Sequence, residues 1–159
     1  MMSNCRSIYQ LARDIAGLTQ KDAAERIGVS VRSLAGYEAL SPVPHSDIVN
    51  DMVKVYKADW LGYEHLRSTS ELGQNCLPEI SLKSISESVL MFQKESNDVE
   101  RLKPEMIDIV CDGIIDPHEE MRWQNINKEL KEFVGAALSI VFHAKKKTSL
   151  DGHLEKVGL

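Results

Sequence analysis

The sequence predicts an all-α chain: five short helices, a polar connection, then a long helical hairpin. Three observations carry that prediction. Apolar residues recur every three or four positions along most of the chain, which is the period of a helix. No run alternates apolar and polar residues with β-branched enrichment, and no Asn-Gly or Asp-Gly pair joins two such runs. Capping residues and glycines fall where the helical pattern starts and stops.

The elements follow in order. Ile8, Leu11, Ala12 and Ile15 form one stripe of a helix over Arg6 to Ala16, ended by Gly17. Thr19-Gln20-Lys21-Asp22 opens helix two, with the Thr hydroxyl taking an orphan N–H and Asp22 reaching back. Gly28 supplies the turn after Ile27, and Ser30 caps helix three, which runs to about Glu38. Pro42 and Pro44 mark a loop, with Pro44 suited to the first turn of a helix four that ends near Tyr56. Helix five holds Trp60, Leu61 and Leu66.

Residues 68–80 are polar and carry Gly73 and Pro78, so they read as a linker. A heptad-like seam follows: Leu82, Ile85, Val89, Phe92, Val99, Met106 and Val110, with polar Ser96 and Lys103 in register. Pro104 predicts a kink or break near 97–104, and Gly113 ends the arm. Asp116-Pro117-His118-Glu119 starts the second arm with a carboxylate cap and Pro at the first helical position. Its seam is Trp123, Ile126, Leu130, Phe133, Ala137 and Ile140. The domains are therefore expected at 1–67, a linker at 68–80, the hairpin at 81–144, and a flexible tail at 145–159 that begins with Lys145, Lys146 and Lys147.

Composition narrows the function. With 43% hydrophobic residues in 159, the chain can bury a core. No apolar run approaches the roughly 20 residues of a membrane span, and the N-terminus lacks a signal-peptide core, so a cytoplasmic location and no membrane partner are expected. The net charge of −5 is uneven: residues 1–70 hold eight Arg and Lys against eight Asp and Glu, and the back half carries the excess. An acidic back half does not wrap nucleic acid. Cys5, Cys76 and Cys111, an odd count without a Cys-x-x-Cys, read as free thiols, buried or inert.

The informative stretch is Gln20 to Tyr37, QKDAAERIGVSVRSLAGY. Two short helices meet at Gly28. Ala24 is small where they must approach, and Ala23, Ile27, Val29, Leu34 and Tyr37 face inward. The stretch resembles the helix-turn-helix of the lambda-repressor-like, Cro-type (XRE) regulators, and the resemblance extends over about Ile8 to Leu66. It implies a bacterial or phage-associated transcriptional regulator, a repressor, whose partner is double-stranded DNA. The second motif helix then lies in the major groove. By position, the resemblance assigns Val31, Arg32 and Gly36 to base reading, and Gln20, Lys21, Ser30 and Ser33 to the DNA backbone. Arg32 can bond guanine O6 and N7, and Val31 can pack on a thymine methyl. The hairpin resembles the C-terminal regions of some phage-associated regulators.

Other patterns carry less. Asp108, Asp112, Gly113, Ile115, Asp116 and Glu119 fit positions of a calcium-binding EF-hand loop, which would make a calcium-responsive regulator. Val110 occupies a ligand position, however, and two helix caps explain the same residues. His45, His65, His118, His143 and His153 show no metal-ligand spacing and read as surface or cap residues. Glu38 reads as a cap or a local ion pair. No nucleophile–base set and no phosphate loop appear, so no catalytic residue, metal or cofactor is expected and the chain is read as a non-enzyme. Met91, Ile107, Met121, Val134 and Val141 lie off the seams and widen them, which predicts a homodimer through residues 82–143. Because the N-terminal domain is neutral, a second reading stands beside the first: a protein-interaction adaptor that keeps the fold without binding DNA.

Overall fold

The computed structural model describes the backbone of residues 6–154 and the side chains of residues 6–143. Cys5, the side chains of Lys145 to Lys147 and His153, and residues 155–159 lie outside the described residues. The described residues form eight helices and no strand. The chain divides after Leu77 into two compact units, the second spanning Pro78–Ala144.

The first unit holds α1 (Ile8–Ile15), α2 (Gln20–Ile27), α3 (Val31–Glu38), α4 (Ser46–Tyr56), α5 (Asp59–Ser68) and α6 (Glu71–Cys76). Serine and threonine hydroxyls start most of them. Ser7, Thr19, Ser30 and Ser70 each accept a backbone N–H of the first turn. Asp22 bonds the Thr19 hydroxyl at 2.7 Å rather than the Thr19 backbone. Glycines at 17 and 28 take the left-handed conformation that ends α1 and α2. The core gathers Tyr9, Ala12, Ala23, Ala24, Leu34, Val49, Met52, Tyr56, Trp60 and Leu61.

Three expectations are corrected here. Pro44 is not in the first turn of α4: His45 is the N-cap, and the Pro44 ring is buried just ahead of it. Leu66 is exposed, because α5 turns Trp60, Leu61 and His65 inward. His65 is therefore a core residue. Its Nδ1 pairs with the Tyr9 hydroxyl at 2.8 Å and its Nε2 with Ser46 Oγ at 3.4 Å, so one ring ties α1, α4 and α5 together. Lastly, the stretch expected as linker contains α6, packed on α5. Gly73 is buried there, and a Cβ would meet Leu66 O at 2.0 Å. The glycine permits close packing rather than marking a loop.

The second unit pairs α7 (Ile85–Ile109) with the part of α8 (Glu120–Leu154) that runs to Ala144. Ser84 and Glu87 form a reciprocal capping box at the start of α7. Phe92 meets Phe133 with ring centroids 5.3 Å apart, and Arg122 reaches back to Glu105 at 2.7 Å and Asp108 at 3.1 Å. These pairings run in opposite directions along the two helices, so the hairpin is antiparallel. The segment 78–81 lies on α8 across small residues. Ser81 N–H donates to Ser139 Oγ at 2.8 Å, and a Cβ on Gly135 would meet Glu79 O at 2.3 Å.

The seam of α8 follows the sequence pattern, with none of its six residues exposed. The seam of α7 does not. Its inward face is Ser88, Phe92, Glu95, Val99, Leu102, Met106 and Ile109, while Ile85, Val89 and Val110 are exposed. Both patterns alternate three and four and share Phe92, Val99 and Met106. Packing selects the one that buries Leu102 and Ile109 instead of Lys103 and Val110. Pro104 neither breaks nor ends α7. Proline removes a single backbone N–H, and inward residues on both sides of it hold the helix.

At the turn, Gly113 is left-handed, Asp112 Oδ1 accepts the Ile114 N–H at 3.0 Å, and Glu119 Oε2 accepts the Asp116 N–H at 3.0 Å. Asp108 sits in the helix, bonded to Arg122. Of the EF-hand carboxylates, Asp112 thus serves a turn, Glu119 a cap and Asp108 an ion pair. The second arm begins at Glu120, later than Pro117, because residues 117–119 form a separate turn. Its helix continues to Leu154, into the stretch expected as a tail. Cys76 and Cys111 are free but exposed, not buried.

Two predictions follow from this packing. Gly135→Ala should destabilise the second unit by about 1–3 kcal/mol in urea unfolding, because the new methyl meets backbone. Gly62→Ala, whose Cβ would meet only Val53 Cγ2 at 3.5 Å, should instead stabilise the first unit by about 0.5–1 kcal/mol. Second, burial holds His65 below its ordinary value of 6.5, with the nearby His45 adding to the shift. The folded state keeps the ring neutral, so its contribution is full above that value and is lost as pH falls below it. Thermal midpoints of the first unit should drop between pH 7.5 and 5.5, and by less in His65→Gln.

Candidate nucleic-acid interface

The interface is built by α2, the turn at Gly28, and α3. The Gly28 and Val29 N–H groups both donate to Ala24 O, at 2.9 and 3.0 Å, which closes α2 and turns the chain sharply into Ser30. The Ser30 hydroxyl caps α3 by accepting the Ser33 N–H at 2.9 Å and lies 2.8 Å from Ser33 Oγ. Ala24 is buried at the crossing, and Leu34 and Glu38 form the buried face of α3. With about 100° between residues, Arg32 and Gly36 fall on the opposite, outer face.

One buried ion pair fixes where α3 stands. Arg13, from the end of α1, grips Glu38 through two nitrogens, Nε to Oε1 and NH2 to Oε2 at 3.1 Å. Its remaining nitrogen, Nη1, donates to Leu18 O at 2.8 Å and meets Asp14 Oδ1 at 3.0 Å, and Gln20 Nε2 donates to Glu38 Oε2 at 2.8 Å. The Glu38 bond and charge raise the Arg13 pKa against the opposing effect of burial. Burial, then the Glu38 charge, pushes the nearby Tyr56 hydroxyl far up. Glu38 is therefore not a local partner but the meeting point of the ends of α1 and α3 and the start of α2.

The structure separates the residues assigned from the sequence. Val31, Arg32 and Ser33 are exposed at the start of α3, and Lys21 is exposed on α2. Gly36 is half-buried: a Cβ there would meet Ser41 O at 3.0 Å, and the Ser41 N–H donates to Gly36 O at 2.9 Å. The loop after α3 thus lies against Gly36. The Gln20 amide is committed inward to Glu38. Arg26, in the last turn of α2, went unassigned. It is exposed, and like Lys21 and Arg32 it makes no ion pair among the described residues. Its place among the exposed positions of the motif was the available signal. Lys54, by contrast, pairs with Asp51 at 3.1 Å.

Residues 10–60 match the family model described as helix-turn-helix, the model of lambda-repressor/Cro-like regulators. The N-terminal unit is an XRE-type helix-turn-helix domain. Searches of curated proteins and of solved structures returned no match. The XRE-type domain is a DNA-binding domain of transcription regulators, and among the described residues no helix is long and apolar enough to cross a membrane.

The Arg13–Glu38 pair gives a direct test. Glu38→Ala removes the two-point acceptor of the buried Arg13 guanidinium, which keeps only Leu18 O and Asp14, and the acceptor of the Gln20 amide. It should cost about 3–5 kcal/mol of stability in the first unit. Arg13→Met with Glu38→Leu, which removes both charges, should cost much less.

Proposed function

We propose that the chain is a sequence-specific transcriptional repressor that binds a two-fold operator as a homodimer, with α3 in the major groove. The observation that carries this reading is the arrangement of charge. In a domain with balanced charge, Lys21, Arg26 and Arg32 are exposed and unpaired on the two motif helices. Arg32 stands on the outer face at the start of α3, where a recognition helix meets base edges. Val31 lies beside it. Lys21, Ser30, Ser33 and the first turn of α2 serve the DNA backbone in this reading, since a helix N-terminus offers free N–H groups to an anion. Gly36 then admits the close approach of the loop at Ser41 rather than reading a base.

The dimer reading rests on the second unit. Ile85, Val89, Ile107 and Val110 stand exposed on α7, and Met121, Val134 and Val141 on α8. Residues 82–143 thus keep apolar surface after the hairpin has closed, as a subunit with a missing partner would. The adaptor reading has its own support: Val31, Leu40 and Val43 are exposed at 45%, 54% and 49%, an apolar group at the start of α3 and in the loop beyond its end.

Selection of binding sites from random duplexes, followed by titration at several salt concentrations, separates the two. Arg32→Ala should cost about 1–3 kcal/mol per subunit on the selected site and relax preference at one base pair. Lys21→Ala and Arg26→Ala should weaken all duplexes similarly and flatten the salt dependence, because each removes a phosphate neutraliser. No enriched sequence at low salt, with all three variants behaving alike, would leave the adaptor reading.

A further inference from the structure

We propose that Glu95, Glu129 and Glu132 form a divalent-cation site that ties α7 to α8. One carboxylate oxygen from each residue lies within 4.8 Å of one from each of the others. Glu95 comes from the inward face of α7, while Glu129 and Glu132 are one turn apart on α8. Three acidic residues alone would be an ordinary surface cluster. Glu95 is not on the surface: it is 4% exposed. Its Oε1 accepts from Lys94 Nζ at 2.9 Å, but its Oε2 is buried with no donor. A buried carboxylate oxygen without a partner is costly, and a cation held between the helices would supply one.

The charge balance points the same way. Lys94 also touches Asp98 at 3.1 Å, and Lys128 spans Glu129 at 3.3 Å and Glu132 at 3.0 Å. Four carboxylates therefore face two ammonium groups and, at Asp98, the Arg101 guanidinium, which leaves one negative charge over. That surplus favours a further cation. Both lysine side chains are more than 60% exposed on long stems, so they can swing aside. An ammonium donates at most three hydrogen bonds, whereas a divalent ion takes six or more oxygens at once. Beside the cluster is an open groove of about 420 Å³ lined by Asp98, Asn125, Glu129 and Glu132 together with Lys94, Arg101 and Lys128, with room for completing waters. The donors are all oxygen, which selects hard ions such as Mg²⁺, Ca²⁺ or Mn²⁺ over Zn²⁺ or Cu²⁺.

The test uses the full chain, freed of metal by a chelator and titrated with MnCl₂ while free Mn²⁺ is read by paramagnetic resonance. One ion per chain should bind with a dissociation constant at or below about 1 mM. It should also raise the unfolding midpoint of the second unit. Glu95→Gln, nearly isosteric, should weaken binding by at least about tenfold, as loss of a ligand does. If circular dichroism shows that variant unfolded, Glu132→Gln, on the exposed side, takes its place. Lys128→Gln, which removes the competing ammonium, should tighten binding. Glu119→Gln tests the other close group, Asp116, His118 and Glu119 at the turn, and should leave binding unchanged. Absence of saturable binding up to about 10 mM overturns the proposal, that being weaker than the weakest protein calcium modules. So does binding that Glu119→Gln abolishes while the α7 and α8 variants do not.

Discussion

The first unit depends on one buried ion pair. Arg13 and Glu38 lie 25 positions apart and would each be very costly to bury alone. Together, with Leu18 O and the Gln20 amide filling the remaining valences, they lock the end of α1 to the end of α3 and the start of α2. The polar exposed face of α3 can tolerate little apolar packing, so its angle must be held from behind. Leu34 supplies the apolar half of that hold and Glu38 the directional half. The geometry of Arg32 relative to Lys21 and Arg26 descends from this arrangement.

The second unit solves a different problem. Two long helices with wide apolar stripes can pair in more than one rotation. Backbone-sized contacts set the position: Gly135, Ala136 and Ser139 let the segment 78–81 lie directly on α8, which fixes where α7 begins. That choice buries Ser88 and Glu95 on the inward face and leaves Ile85, Val89 and Val110 outside. The same rotation produces both the exposed apolar flank and the buried carboxylate, two consequences of one packing decision.

The helices of the motif were legible because their signals are local. Thr19, Gly28 and Ser30 act on backbone groups within three or four residues, and any folded context satisfies them in the same way. The outward position of Arg32 also follows from helix period alone. Gly73 looked like a loop residue because sequence records that glycine permits a turn, but not that a neighbouring backbone needs its missing side chain. Likewise, Pro104 predicted a kink or a break, and α7 runs through it unbroken because the packing on either side outweighs one lost hydrogen bond.

What the sequence determined by itself is the all-α class, the caps at Thr19 and Ser30, the turn at Gly28, the α8 seam and the outward position of Arg32 on α3. All of these arise from interactions spanning about one helical turn. Only the tertiary structure decided that Glu38 pairs with Arg13, that His65 joins Tyr9 to Ser46, that Gln20 faces inward and that Glu95 meets Glu129 and Glu132. Each of these pairings is polar and distant in sequence. A carboxylate or an imidazole has the same local pattern whether it meets water or a partner, and burial, which decides between them, is a property of the whole packed unit.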